Sequence, residues 1–411
     1  MSEELAENVK RFRMAAGLSQ EDLAERAGMS VGPIRCLEQG KNVRMETLRE
    51  VASALGVTTS QLMMSSSPEP VGFDPNRMHL RDLRAALTPA VSLRGHTWST
   101  PDNDLTMSRL RRSVQDFAKL YFAGSYGSLA IDLPRTLRAA DDAVAGFDGD
   151  DALKARVLRS QARRVAGMFL TQVRQYDLAH IALSSAVQDA QEAGDQAAAA
   201  SAIGGMCWLL MRTTRFDEAE RIAAESMDVV EPRIKGATED EYATWGGLAM
   251  EAAAAAARNH RVDEAKEYRK AAATAGKAVG RAHRNLLRHW SIFGPVTVAM
   301  KELEDSMIVG DARTVLRRVS DEEVFKPKAW ERLGGASTND THRYRLDVAR
   351  ARVRTGDASG AMEVLAKLDA EAPEWFRHQH SAVDTFHEVT KKRRTLTTEM
   401  RAVGSHLGVF V

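Results

Sequence analysis

Five times between residues 174 and 361, a turn residue stands five positions ahead of a small or short apolar one. The segments are Arg174-Gln-Tyr-Asp-Leu-Ala179, Thr214-Arg-Phe-Asp-Glu-Ala219, His260-Arg-Val-Asp-Glu-Ala265, Gly310-Asp-Ala-Arg-Thr-Val315 and Gly356-Asp-Ala-Ser-Gly-Ala361. A small side chain just after a turn lets two antiparallel helices approach closely, so the pattern predicts helix pairs stacked in series. From His79 onward no stretch alternates as a strand would, and internal prolines are few, which predicts an all-α body. Long helices are expected over Leu105–Phe122 and Leu129–Phe147. Runs such as Ala197–Ala200 and Ala252–Ala257 suit tight helix stacking and have high helix propensity.

The N-terminal stretch Leu18–Gly40 reads differently, as two short helices around a tight turn. Ser19 caps the first, with Asp22 completing a capping-box pattern, Leu23 and Ala24 inward and Gly28 as its stop. Ser30 caps the second, with Ile34 and Leu37 inward and Val31, Gly32, Arg35 and Cys36 expected on the opposite, exposed face. Ahead of them, Glu4–Ala16 is an amphipathic helix with Leu5, Val9 and Phe12 inside and Gly17 as its end. After them, Met45–Leu55 forms a helix with Leu48, Val51, Ala52 and Leu55 inward and Gly56 as its stop. Thr58 or Thr59 then caps a short fifth helix through Leu62.

On Ser19-Gln20, Leu23-Ala24, Gly28, Ile34 and Glu38 followed by Gly40, this region resembles the lambda-repressor and Cro (XRE-family) class of helix-turn-helix domains. The resemblance implies that the second helix enters a major groove of double-stranded DNA, and that Arg13 pairs with Glu38. It also implies that Gln20 holds a backbone phosphate, with Lys41, Asn42 and Arg44 doing the same beyond the recognition helix. Ser30, Val31, Gly32, Pro33, Arg35 and Cys36 make up the expected DNA-facing surface. Proline is tolerated in the first turn of a helix, whereas glycine brings no side chain to read a base. Direct readout therefore leans on Arg35 toward guanine and Val31 toward a thymine methyl, with shape supplying the rest. Contact of Arg35 with phosphate alone is the other reading.

The helical body resembles a degenerate tetratricopeptide (TPR) array. The turns recur at 40, 46, 50 and 46 residues, beyond the roughly 34 of strict tetratricopeptide repeats, so longer helices or looser turns are expected. The whole chain is similar to large actinobacterial regulators that join the two parts. The resulting fold class is all-α: a five-helix lambda-repressor-like domain at 1–64, a serine- and proline-rich linker at 65–77, a helical connecting region at 78–150, a TPR-like α-solenoid at 151–390, and a basic tail at 391–411 carrying Lys391-Lys-Arg-Arg394. First helices of stacked pairs line a concave side. Met206, Trp245, His289, Trp290 and Phe293 are the residues expected to meet an effector there.

Composition narrows the function. At 411 residues, 44% apolar and 27% charged, the chain has the makeup of a soluble protein of two or three domains. Without a signal-type apolar run or a spanning apolar window, no membrane association is expected and the location expected is cytoplasmic. Cys36 and Cys207 fall in different expected domains, which argues against a disulfide framework. Net charge is only +1, and Met1–Met64 is slightly acidic, so a homodimer summing two modest phosphate footprints on a two-fold symmetric operator is expected. The chain has no nucleophile elbow, phosphate loop or His-Glu-x-x-His. His378/His380 and His283/His289 lack metal-ligand spacing, so no catalytic residue, metal or cofactor is expected. These observations lead to a transcriptional regulator whose array takes a peptide, small-molecule or protein effector. The alternative is a cytosolic interaction scaffold with little specific DNA binding.

Overall fold

The computed structural model describes residues 3–15, 18–41, 43–55, 57, 59–63, 76–90, 106–233, 235–284, 292–391 and 396–409. Contacts divide the chain into two units, one of Met1–Pro75 with Ala382–Val411 and one of Asn76–Ser381. Helices α1 (Glu3–Ala15), α2 (Gln20–Arg26), α3 (Val31–Glu38), α4 (Met45–Leu55) and α5 (Thr59–Met63) form the N-terminal bundle. Its core is Leu5, Val9, Leu23, Ile34, Leu37, Leu48, Val51 and Leu62, with Phe12 and Leu55 partly buried against them. The Asn8 side-chain amide donates to the Leu62 carbonyl at 3.1 Å and ties α1 to α5. The expected stops at Gly17 and Gly56, and Thr58, lie outside the described residues.

The second unit begins with α6 (Asn76–Leu87), so the last two residues of the expected linker are helical, while 65–75 lie outside the described residues. It continues through α7 (Met107–Phe122), α8 (Tyr126–Gly146), α9 (Gly149–Gln172), α10 (Tyr176–Glu192), α11 (Gln196–Arg212) and α12 (Phe216–Val229). Then come α13 (Glu239–Arg258), α14 (Val262–Val279), α15 (Pro295–Ile308), α16 (Ala312–Asp321), the short α17 (Pro327–Leu333), α18 (Thr338–Arg354), α19 (Ala358–Glu371) and α20 (Pro373–Phe376). The chain ends with α21 (His380–Thr390), of which all but the first two residues belong to the first unit, and α22 (Thr398–His406), which belongs to it entirely. Among the described residues the β pairing is an isolated bridge between His283 and Phe293. The fold is all-α.

Each turn marked in the sequence closes in one way. Arg174, Thr214, His260, Gly310 and Gly356 all adopt positive φ, from 60° to 99°. The next residue's N–H reaches back five positions: Gln175 to the Leu170 carbonyl at 2.8 Å, Arg215 to Leu210 at 2.9 Å, Arg261 to Ala256 at 2.9 Å, Asp311 to Ser306 at 2.9 Å and Asp357 to Arg352 at 2.9 Å. This bond satisfies a carbonyl at the helix end, and the left-handed residue turns the chain through the reversal. The small residues that follow, Ala179, Ala219, Ala265, Val315 and Ala361, are all buried. The turns are therefore tight, and the long period comes from long helices, 24 residues in α9 and 20 in α13, with extra segments between later pairs. α7 and α8 form one more pair, with Gly124 left-handed and Ser125 donating to the Leu120 carbonyl at 3.0 Å. The region expected only to connect thus has the array's own geometry, and its first long helix starts at Met107.

The first helices touch one another in succession, α9 with α11, α11 with α13, α13 with α15 and α15 with α18, so they line the inner side of the curve. The curve also closes. The Gly127 N–H donates to the Glu374 carboxylate at 2.9 Å, the Tyr126 ring lies 6.0 Å from His378, and a methyl on Gly124 would stand 3.3 Å from Trp375 Cβ. The end of the unit thereby meets its first pair. One expectation fails at the C-terminus, where a basic tail was expected. Thr397 caps α22 through the Met400 N–H at 3.2 Å, and Met400 and Val403 are buried, because the stretch carries its own apolar stripe. Residues 392–394 of the basic cluster lie outside the described residues.

A β-branched residue in the left-handed region costs about 1 kcal/mol or more. Thr214→Gly relieves this at a turn whose closing N–H bond does not involve the side chain, giving up only the exposed hydroxyl's hydrogen bond to the Thr213 carbonyl at 2.7 Å. It should stabilise the array by up to about 1 kcal/mol, less the greater freedom of glycine in the unfolded chain. Thermal unfolding of the two full-length proteins checks this, and a lower midpoint for the variant contradicts it.

Candidate nucleic-acid interface and the inner face of the array

The turn between α2 and α3 is built by backbone closure and capping. Ser19 Oγ accepts the Asp22 N–H at 3.0 Å while Asp22 accepts the Ser19 N–H at 2.8 Å, the reciprocal box expected. Gly28 at φ +68° ends the first helix, and Gly40 at φ +74° ends the second. Ser30 is the N-cap of α3 in extended conformation, but its side chain makes no capping hydrogen bond. The cap there is positional only.

Beneath the helix pair, Glu38 joins three segments. Arg13 donates from Nε at 2.5 Å and Nη2 at 3.1 Å, and Gln20 donates from Nε2 at 2.7 Å. Burial pushes the Glu38 carboxyl up, but the hydrogen bonds from Arg13 and Gln20 and the arginine's charge outweigh it, leaving the carboxyl below the ordinary value. The hydrogen bond to Glu38 raises the Arg13 guanidinium in turn. The Arg13–Glu38 pair expected from the resemblance is present. Gln20 does not stand free for a phosphate: its amide is turned inward to a half-buried carboxylate.

The face of α3 also differs from the expected one. Ile34 and Leu37 are fully buried as read from the sequence. Val31, expected on the opposite side, is half-buried against the core. It stands three residues before Ile34, on the same helical stripe, and that periodicity sets its direction. Gly32 and Arg35 are exposed, and Pro33 and Cys36 are half-buried. A side chain at Gly32 would meet nothing within 4 Å, so space alone does not require glycine there. Arg35 Nη2 lies 2.9 Å from Glu21 Oε1 in a pair more than half exposed at both ends. Such a pair contributes about 1 kcal/mol at most and is readily exchanged for a phosphate or a base. Lys41 and Arg44 are exposed beyond the helix, and Asn42 lies outside the described residues.

On the inner side of the array, Met206 and Phe293 are buried. Both serve helix packing, Phe293 filling the space where α13 carries Gly246 and lining a cavity of about 50 Å³ with Gly204, Gly247 and Glu251. Trp245 is half-buried, and His289 and Trp290 lie outside the described residues. The side chains that meet between distant first helices are others. Arg212 and Arg343 place their guanidinium carbons 5.5 and 5.0 Å from the Trp208 ring centre. Trp208 and Arg212 are one turn apart on α11, a spacing visible in the sequence, whereas Arg343 arrives from α18 only because the array curves. Among the described residues, no three His, Cys, Asp or Glu side chains group as metal ligands.

A family model described as a helix-turn-helix domain matches residues 4–62. The uncharacterized HTH-type transcriptional regulator y4dJ of Sinorhizobium fredii (strain NBRC 101917 / NGR234) is 38% identical over 66 residues, which span 86% of that protein and 16% of this chain. The chain belongs to the HTH-type transcriptional regulators. Its match to that relative is confined to 66 residues, the extent of one small domain. Among solved structures, the crystal structure of a Rap protein complexed with competence and sporulation factor aligns with TM-score 0.39 and 10% identity, covering 74% of this chain and 94% of that one. No helix among the described residues is long and apolar enough to cross a membrane.

The Glu38 hub has a pH signature. A carboxyl held below its ordinary value of 4.5 adds stability that is complete above that value and is lost as pH falls through its lower folded value. Hydrogen-exchange protection of α2 and α3 should therefore fall on acidification below about pH 4.5. Glu38→Gln should flatten that pH dependence and lower protection at pH 7. An unchanged acid profile in the variant contradicts the assignment.

Proposed function

We propose that this HTH-type regulator binds DNA sequence-specifically as a dimer, with α3 in the major groove, and that ligand occupancy of the helical array sets the DNA-competent fraction. The observation carrying the DNA reading is α3 itself: a core-anchored helix whose exposed face offers Gly32 and Arg35, with Lys41 and Arg44 just beyond. In this reading Arg35 leaves Glu21 for guanine O6 and N7, while Lys41, Arg44 and Asn42 hold phosphates. Ser30 and Pro33 bring the backbone of the first turn toward the duplex, and Cys36 borders the face. Gln20 contributes through Glu38, by fixing α2 against α3, or by releasing that carboxylate on binding. The DNA-binding unit being slightly acidic, two copies on a symmetric operator supply the phosphate contacts that one lacks. The array acts by population shift, which requires the ligand to favour one arrangement over the other.

Titration of operator and random duplexes at two salt concentrations separates the roles. Arg35→Ala should weaken the specific duplex about tenfold or more and the random duplex much less, since a bidentate base contact is worth about 1–3 kcal/mol. Lys41→Ala should weaken both alike and reduce the salt slope by about one. Equal loss on both duplexes for Arg35→Ala assigns that residue to phosphate. No retention of any duplex at low salt leaves the scaffold reading, which the Arg35–Glu21 and Gln20–Glu38 contacts favour, in its place.

A further inference from the structure

Two sets of cations stand out on the first helices of the array. Those of the first set each hold a carboxylate: Arg258 and Lys301 share Glu304 at 2.5 and 3.0 Å, and Arg350 meets Asp347 at 3.3 Å. Arg212 and Arg343 form the second set, and neither makes an ion pair or hydrogen bond with any described residue. The nearby Asp340 carboxylate is committed to Ser337, accepting its hydroxyl at 2.5 Å. What the two arginines share is the Trp208 ring. They repel each other: Arg212 is lowered to about 10, first by desolvation and then by the charge of Arg343. Solvent nevertheless reaches Arg212.

Two uncharged groups add to the picture. Tyr126 is buried and within electrostatic reach of Arg343, and its hydroxyl has no hydrogen-bond partner. Gln172, at the end of α9, is 3% exposed, and neither its amide oxygen nor its nitrogen has a partner. Buried polar groups in native proteins are nearly always satisfied, and two like charges brought together are costly. An anion between the two guanidiniums removes the second cost.

We propose that the inner face of the array binds a small anion, a carboxylate or a phosphate group, held by Arg212 and Arg343 against Trp208. The proposal rests on the reading of the array as the sensing part and supplies the chemistry of its ligand. Arginine suits both anions because its planar fork donates two parallel hydrogen bonds, and stacking on the indole fixes that plane. The two guanidiniums belong to α11 and α18, which are far apart in the sequence and meet only because the array curves, so an anion between them braces one first helix against another. That is a differential interaction of the type a population shift needs.

The test uses full-length protein, with succinate and inorganic phosphate as probes at constant ionic strength set with chloride. Trp208 lies in the site, so tryptophan fluorescence should change saturably with at least one probe. The probe that saturates at lower concentration identifies a carboxylate or a phosphate ligand. Arg212→Gln and Arg343→Gln should each raise the midpoint by about tenfold or more, as loss of a charge-assisted contact does. Arg212→Lys, which keeps the charge, should lose less, and Arg221→Gln, whose exposed side chain pairs with Glu225 within α12, should bind the probe as wild type does. With circular dichroism showing the helical content retained, absence of a saturable change for both probes overturns the proposal. Equal midpoints in wild type and both glutamine variants overturn it too. A probe that binds as described without altering retention of operator DNA leaves the anion site standing and removes the effector reading.

Discussion

The structure depends on how its helices end. At each pair a single residue crosses into the left-handed region, the next N–H returns to a carbonyl five positions back, and a small buried residue lets the second helix lie against the first. Glycine takes this conformation without strain at 310 and 356, and Arg174, Thr214 and His260 take it at a cost of about 1 kcal/mol each. That cost is tolerated because packing on both sides of the turn determines the chain path, and closely approaching alanine-rich helices bury most of their length. The same closure ends α2 and α3, where Met29 donates to Ala24 and Lys41 to Cys36, both at 2.9 Å. One local device therefore builds a compact bundle in one unit and a curved array in the other.

The consequences differ because the charges differ. In the N-terminal bundle a half-buried carboxylate is fully met by Arg13 and Gln20, which fixes α1, α2 and α3 as one rigid support for the exposed face of α3. Rigid placement matters because a recognition side chain off by an ångström loses its hydrogen bonds to a base edge. In the array the inner charges are met unevenly, with carboxylates serving Arg258, Lys301 and Arg350 but not Arg212 and Arg343. A satisfied network gives one well-defined arrangement, and an unsatisfied one leaves free energy for a ligand to supply.

Features governed by neighbours within a few residues were legible in the sequence. The capping box at Ser19, the Arg13–Glu38 pair and the five left-handed turns all follow from short spacings or a well-defined family pattern. Val31 is expected on the exposed face, but its three-residue step to Ile34 turns it toward the core. The resemblance implies a phosphate for Gln20, and only the fold reveals that Glu38 stands within its reach. Contacts created by curvature leave no local trace: Gly127 and Glu374 are 247 positions apart, and Arg343 reaches Trp208 from a helix distant in the sequence. Met206 and Phe293 look like groove residues by type, yet large apolar side chains on tightly stacked helices are more often consumed by packing, as both are here.

The account stands on α3 being a reader of DNA sequence. The most direct measurement is selection of duplexes from a random pool by the full-length protein, followed by sequencing of the retained fraction. A two-fold symmetric motif, its half-sites about one helical turn apart or a multiple of that, is the expected result. A retained pool indistinguishable from the input contradicts it.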